Sequence, residues 1–180
     1  MKHLSQQKAL ERLDKVISDL KFEISNKYEH RAKNCLTCET QGACCLDAHF
    51  VNVHISKLEA VAIQKTLDKL PPQKQFEVNA RIWVAIEKYQ LTTNDDTYAQ
   101  TYACPLFEQG IGCLVHNAAK PVPCIMHACY ENQNDLPPDE MQTTAEARIE
   151  ALNFQTYRRS LPLLPLPLAL RNQINPADAK

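Results

Sequence analysis

The chain has 180 residues, 44% of them hydrophobic, and twenty Lys and Arg stand against twenty-one Asp and Glu for a formal net charge of −1. That supplies a modest core, and the lack of any long single-sign run argues against nucleic acid or an anionic membrane as the ligand. No eighteen-residue apolar run is present to span a bilayer. The opening Met1-Lys2-His3-Leu4-Ser5 leads into a charged amphipathic pattern without a signal-peptide core, so a cytoplasmic location is expected.

Residues 4 to about 31 read as one helix, with Leu10, Leu13, Val16, Ile17, Leu20, Ile24 and Tyr28 recurring at three- and four-residue spacing. The stripe is expected to dock on the domain's own core, with a protein partner as the alternative. Asn34 to Leu46 is a cysteine-bearing loop. Val51, Val53 and Ile55 alternate with Asn52 and His54 as in a short strand, which turns His54 toward solvent. Ser56 and Glu59 form a capping-box pattern that opens a helix to about Leu70. After Pro71-Pro72 a second helix runs to about Leu91, with Phe76, Ala80, Trp83 and Ile86 on its apolar face. Thr92-Thr93-Asn94-Asp95-Asp96 is a polar break.

A second cysteine segment extends from Cys104 to Cys129 with a short helix near its end, and a further helix spans Asp139 to Ser160. In Leu161-Pro162-Leu163-Leu164-Pro165-Leu166-Pro167-Leu168 the prolines interrupt helical hydrogen bonding. An extended, polyproline-type strap is expected there, its leucines lying on the body of the protein or docking on a partner. The expected fold is mainly α: a small helical domain over residues 1–160 with metal-stapled cysteine loops and little strand, followed by a proline- and leucine-rich strap over 161–180.

Eight cysteines fall into two groups, Cys35, Cys38, Cys44 and Cys45, then Cys104, Cys113, Cys124 and Cys129. In a reducing compartment such a set reads as metal ligands rather than four disulfides. The C-x2-C spacing of Cys35 and Cys38 lets two sulfurs of one turn reach one ion. Cys44 and Cys45 are poor disulfide partners for each other, because neighbouring Cα atoms lie about 3.8 Å apart, below the usual disulfide span. They can bind one centre together or serve two. All three glycines, Gly42, Gly110 and Gly112, lie in these segments, so no glycine-rich phosphate loop is available elsewhere. His116 and His127, inside the second segment, are replacement ligands or hydrogen-bonded bystanders, and His3 and His30 are surface residues. Glu39 and Asp47, beside the first group, are bases or turn caps.

The run Cys35-x2-Cys38-x5-Cys44-Cys45, then Cys104-Pro105-Leu106-Phe107, Gly112-Cys113-Leu114-Val115-His116 and Lys120-Pro121-x2-Cys124, resembles the YkgJ-type CxxCxxCC cysteine-cluster proteins. The match covers about 95 residues. It departs at Lys120, where arginine is usual, at Ile125, and in the long Cys38–Cys44 gap. The resemblance implies a zinc- or iron-chelating domain with all eight cysteines as ligands. Some flagellin lysine methylases look similar in their cysteine segment and are associated with an iron–sulfur cluster, which implies as an alternative a metal-dependent enzyme or accessory protein. All-thiolate ligation suits zinc or an iron–sulfur cluster, in a structural or metal-handling role; a catalytic site would need an open coordination position.

Overall fold

The computed structural model describes residues 3–32, 41–46, 51–94, 96–128, 130 and 132–174. Cys35, Cys38, Glu39, Asp47, His49 and Cys129 lie outside them. In chain order the described elements are α1 (Gln6–Lys27), α2 (Ala43–Leu46), β1 (His54–Ile55), α3 (Lys57–Leu67), α4 (Pro72–Lys88), β2 (Phe107–Glu108), β3 (Gly112–Cys113), α5 (Val122–Met126), α6 (Asp139–Tyr157), β4 (Leu164–Pro165) and α7 (Leu166–Arg171). The chain is mainly helical, with two small two-stranded antiparallel ladders among the described residues. No helix of the described residues is long and apolar enough to cross a membrane. Two compact units divide the chain: Met1–Gln41 with Lys120–Leu161, and Gly42–Ala119 with Pro162–Lys180.

In the first unit α1 packs along α6, and α5 packs against both. Ser5 caps α1 by accepting the Lys8 N–H at 3.4 Å; of the expected stripe Leu13, Val16, Ile17, Leu20 and Ile24 are buried, whereas Leu10 and Tyr28 are half-buried and Ala9 takes the buried place beside Leu10. Leu4 N–H donates to the Gln155 carbonyl at 3.2 Å and Gln6 Nε2 to the Tyr157 hydroxyl at 3.2 Å. The start of one helix therefore meets the end of the other, and the pair is antiparallel. α6 opens with Asp139 and Glu140 against the positive end of the helix dipole and stops at Arg158, whose φ of 59° is left-handed.

The second unit is built around α7. Leu166, Leu168 and Leu170 are at most 1% exposed and sit in one core with Ile55, Ala60, Ile63, Leu67, Val78 and Ile82. This corrects the expectation of an extended strap: the chain is extended only through Pro165, and a helix follows. Pro167 is tolerated because it occupies the first turn, where a backbone N–H has no partner within the helix. α4 corrects a second expectation. Its buried face is Val78, Ile82 and Ala85, whereas Phe76 and Trp83 are exposed and the Arg171 guanidinium lies 5.9 Å from the Trp83 ring. The expected strand over 51–55 shortens to His54–Ile55, which pairs with Leu164–Pro165. Ser56 and Glu59 do form the capping box of α3.

Tyr102 closes this unit. Its backbone N–H donates to the Val51 carbonyl at 3.0 Å, its hydroxyl donates to the Val53 carbonyl, and that hydroxyl accepts the Leu166 N–H at 3.1 Å. Leu166 N–H also donates to the Val53 carbonyl at 2.9 Å. Three separate segments are thus joined at one fully buried side chain. Tyr102→Phe removes the hydroxyl while leaving the ring, and is expected to lower unfolding free energy by about 1–3 kcal/mol in urea titration.

His54 departs from its expected solvent-facing position: it is 7% exposed, and its ring stacks on Tyr98 at a centroid distance of 4.3 Å. Alternation along the strand failed here because the turn at Thr97–Ala99 covers the face that Asn52 and His54 share. Neither ring nitrogen meets a partner at hydrogen-bond geometry among the described residues. Burial pushes the imidazole below its ordinary value; the Asn52 and Thr97 carbonyls and the Asp96 carboxylate oppose this only in part. A histidine held neutral in the fold stabilises it fully above the unfolded pKa of about 6.5 and progressively less as pH falls below that. The melting temperature is therefore expected to drop between pH 7.5 and pH 5.5, by less in His54→Phe than in the parent chain.

Candidate metal centre

Four of the five described cysteines belong to the second unit. Cys44 and Cys45 sit on α2, a single helical turn rather than the expected loop. Gly42 makes that turn possible: its carbonyl accepts the N–H groups of Cys45 at 2.8 Å and Leu46 at 2.9 Å, and its φ of +81° is left-handed. It also sits at the tip of the Phe107 ring, so closely that a Cβ there would overlap Cζ and both Cε atoms. Phe107 belongs to β2, and β2 pairs with β3 in the register Phe107 to Cys113 and Glu108 to Gly112. The hairpin turns through Gly110 and Gly112, with φ of +81° and +98°. Cys104 leads into β2, and Cys113 ends β3.

The two parts are tied by one bond. Cys104 N–H donates to the Cys45 carbonyl at 2.7 Å, which sets the vicinal pair beside the hairpin although nearly sixty residues separate them in sequence. The sulfurs of Cys44 and Cys45 lie 4.0 Å apart. Four thiolates about 2.3 Å from one tetrahedral ion have sulfurs about 3.8 Å apart, so this pair already spans one edge of such a site. All four side chains, including those of Cys104 and Cys113, are half-buried. As placed, no three His, Cys, Asp or Glu side chains among the described residues are grouped closely enough to hold a metal ion.

Burial pushes the Cys104 thiol up to about 12, and the Cys113 thiol beside it adds to the effect. The Leu106 and Phe107 backbone groups and the Arg81 guanidinium pull the other way. Cys104 is accordingly a neutral thiol at pH 7, and an ion would have to displace its proton to bind.

Helix α4 clamps the hairpin from outside. Lys74 Nζ donates to Glu108 Oε1 at 2.6 Å, Arg81 Nε donates to the Pro105 carbonyl at 3.0 Å, and Arg81 Nη1 stands 3.7 Å from Glu108 Oε2. Motif reading passed over both cations, because nothing in the sequence spacing links α4 to Cys104-Pro105.

Cys124 is half-buried on α5, in the first unit. Within the second unit, Cys44 and Cys45 of the first sequence group therefore stand with Cys104 and Cys113 of the second. His116 and His127 are exposed, as are His3 and His30. No protein-family model, curated protein or solved structure matches the chain.

Gly42→Ala is the most direct test of this geometry. A methyl group there meets the Phe107 ring on a left-handed backbone, so α2 must move away from the hairpin. The variant is expected to lose about 2 kcal/mol or more of stability. In it, crosslinking of Cys45 to Cys113 by a short bifunctional thiol reagent is expected to fall severalfold.

Proposed function

We propose that the chain is a cytoplasmic metal-binding protein in which Cys44, Cys45, Cys104 and Cys113 ligate zinc or an iron–sulfur cluster. The observation that carries this reading is the bond between Cys104 N–H and the Cys45 carbonyl, which brings two distant pairs of thiols into one neighbourhood. The 4.0 Å separation of the vicinal sulfurs suits a shared ion. The resemblance of the cysteine order to the YkgJ-type cluster supports the same chemistry and supplies Cys35, Cys38, Cys124 and Cys129 as further ligands. A set of four thiolates is closed, so the role is structural or metal-handling. Such a centre, when bound, would supply a crosslink between α2 and the hairpin.

Protein purified under reducing, anaerobic conditions is expected to carry about two zinc ions, or one iron–sulfur cluster with or without zinc, by elemental analysis and visible absorption. Cys45→Ser and Cys104→Ser should each remove the same equivalent of metal, and the double variant should lose no more than either alone. Cys124→Ser should leave that equivalent in place. Additive losses from Cys45 and Cys104 would separate the two pairs into different centres. Less than half an equivalent of any metal in the parent protein would end the metal reading.

A further inference from the structure

Two thiols far apart in sequence are brought together by contacts that involve no sulfur. The Cys104 N–H donates to the Cys45 carbonyl at 2.7 Å. With ordinary backbone lengths such a bond leaves the two Cα atoms about 5–6 Å apart, inside the roughly 4.4–6.8 Å that a disulfide spans. Neighbouring contacts hold both backbones there. Gly42, whose carbonyl accepts the Cys45 N–H, lies against the tip of the Phe107 ring. Arg81 Nε donates to the carbonyl of Pro105, the residue after Cys104, at 3.0 Å.

The other pairings within the unit are less well placed. Cys44 and Cys45 are adjacent in sequence, and Cα atoms about 3.8 Å apart are too close for an ordinary disulfide. Cys113 is registered opposite Phe107 inside the hairpin, whereas the bond that reaches α2 belongs to Cys104. Cys45 and Cys104 are both half-buried, which leaves part of each residue open to a small reagent.

We propose that Cys45 and Cys104 are a redox-responsive pair, closed to an intramolecular disulfide by a small-molecule disulfide such as oxidised glutathione. One of the two, as thiolate, attacks a sulfur of the reagent; a protein–glutathione S–S bond forms, the reagent's own S–S bond breaks, and one glutathione leaves as thiolate and takes up a proton. The other cysteine gives its proton to solvent, attacks the protein sulfur of that mixed disulfide and expels the second glutathione thiolate. Two protein thiols are oxidised and one glutathione disulfide is reduced to two thiols. The product staples α2 to the hairpin and closes a loop of nearly sixty residues. This inference goes beyond the metal reading and does not rest on it, because a disulfide needs two sulfurs and no third ligand.

The test uses the full chain, reduced, stripped of metal with a chelator and exposed to excess oxidised glutathione. Remaining thiols are alkylated, the chain is denatured and cut after glutamate, and the peptides are identified by mass spectrometry with and without reduction. Cleavage after Glu39, Glu59, Glu87 and Glu108 places Cys44 and Cys45 in peptide 40–59 and leaves Cys104 as the sole cysteine of peptide 88–108. The expected product joins 40–59 to 88–108, in the parent and equally in Cys44→Ser and Cys113→Ser. Cys45→Ser and Cys104→Ser should lose it. The same treatment in urea should lower its yield severalfold, because the unfolded chain no longer holds the pair together. If Cys45→Ser does not fold, the parent peptide map and Cys44→Ser decide the matter. Loss of the joined peptide in Cys44→Ser, its survival in Cys45→Ser, or an undiminished yield in urea overturns the proposal. So does a parent map in which 88–108 is joined instead to 109–131, the peptide that carries Cys113. The metal content of the purified protein tests the earlier reading separately, and neither result decides the other.

Discussion

The hydroxyl of Tyr102 is the point on which the second unit turns. An extended segment, Val51–Ile55, crosses the interior with only two residues in a ladder, so its remaining carbonyls need donor partners from elsewhere. Tyr102 answers two of them, one through its backbone and one through its side chain, and receives the first N–H of α7 in return. Because that N–H belongs to the opening turn of a helix, it has no partner within α7. One aromatic side chain therefore seats a strand and starts a helix. Cys104 stands two residues further on, so the position of the thiols inherits whatever precision the tyrosine provides.

Above that point the unit is arranged in layers of decreasing locality. The leucines of α7 fill the space between α3 and α4, and α4 in turn carries the cations that grip the hairpin. The hairpin presses Phe107 onto Gly42, and Gly42 turns the chain into the vicinal pair. Adjacent residues on a helical turn point about 100° apart, so Cys44 and Cys45 cannot both face a common point squarely. A sulfur separation of 4.0 Å is what such divergence leaves. That spacing suits two corners of a tetrahedron better than it suits a disulfide. The chemistry of the pair follows from its placement on one helical turn as much as from its being cysteine.

What the sequence revealed was whatever depends on neighbours along the chain. Most of the stripe of α1 and the Ser56–Glu59 cap follow from spacings of three and four residues. α4 was misread because it carries two apolar rows, Phe76-Ala80-Trp83 and Val78-Ile82-Ala85, and periodicity does not say which one meets the core. The larger aromatic row drew the assignment, and the row of smaller branched residues fits against α7. The tail was misread because a proline breaks a helix everywhere except its first turn, and only the tertiary partner of Leu166 shows where that first turn falls. The eight thiols were legible by composition. Their division was not, since the bond from Cys104 to Cys45 spans a distance in sequence that no motif encodes. The same holds for Arg81, which looks like any other surface cation until Pro105 is seen beside it.

The interleaving of the two units along the chain bears on the order in which this protein can be made. Residues 42–119 lack the helix at the centre of their own core until residue 174 has been synthesised, after the whole of α5 and α6 has passed. During that interval the nascent thiols of α2 and the hairpin stand without the layer that positions them. A ribosome translating this message therefore exposes reduced cysteines well before their scaffold can close. Until the late helix is made, those cysteines remain on open chain, where an oxidant meets them before their scaffold does.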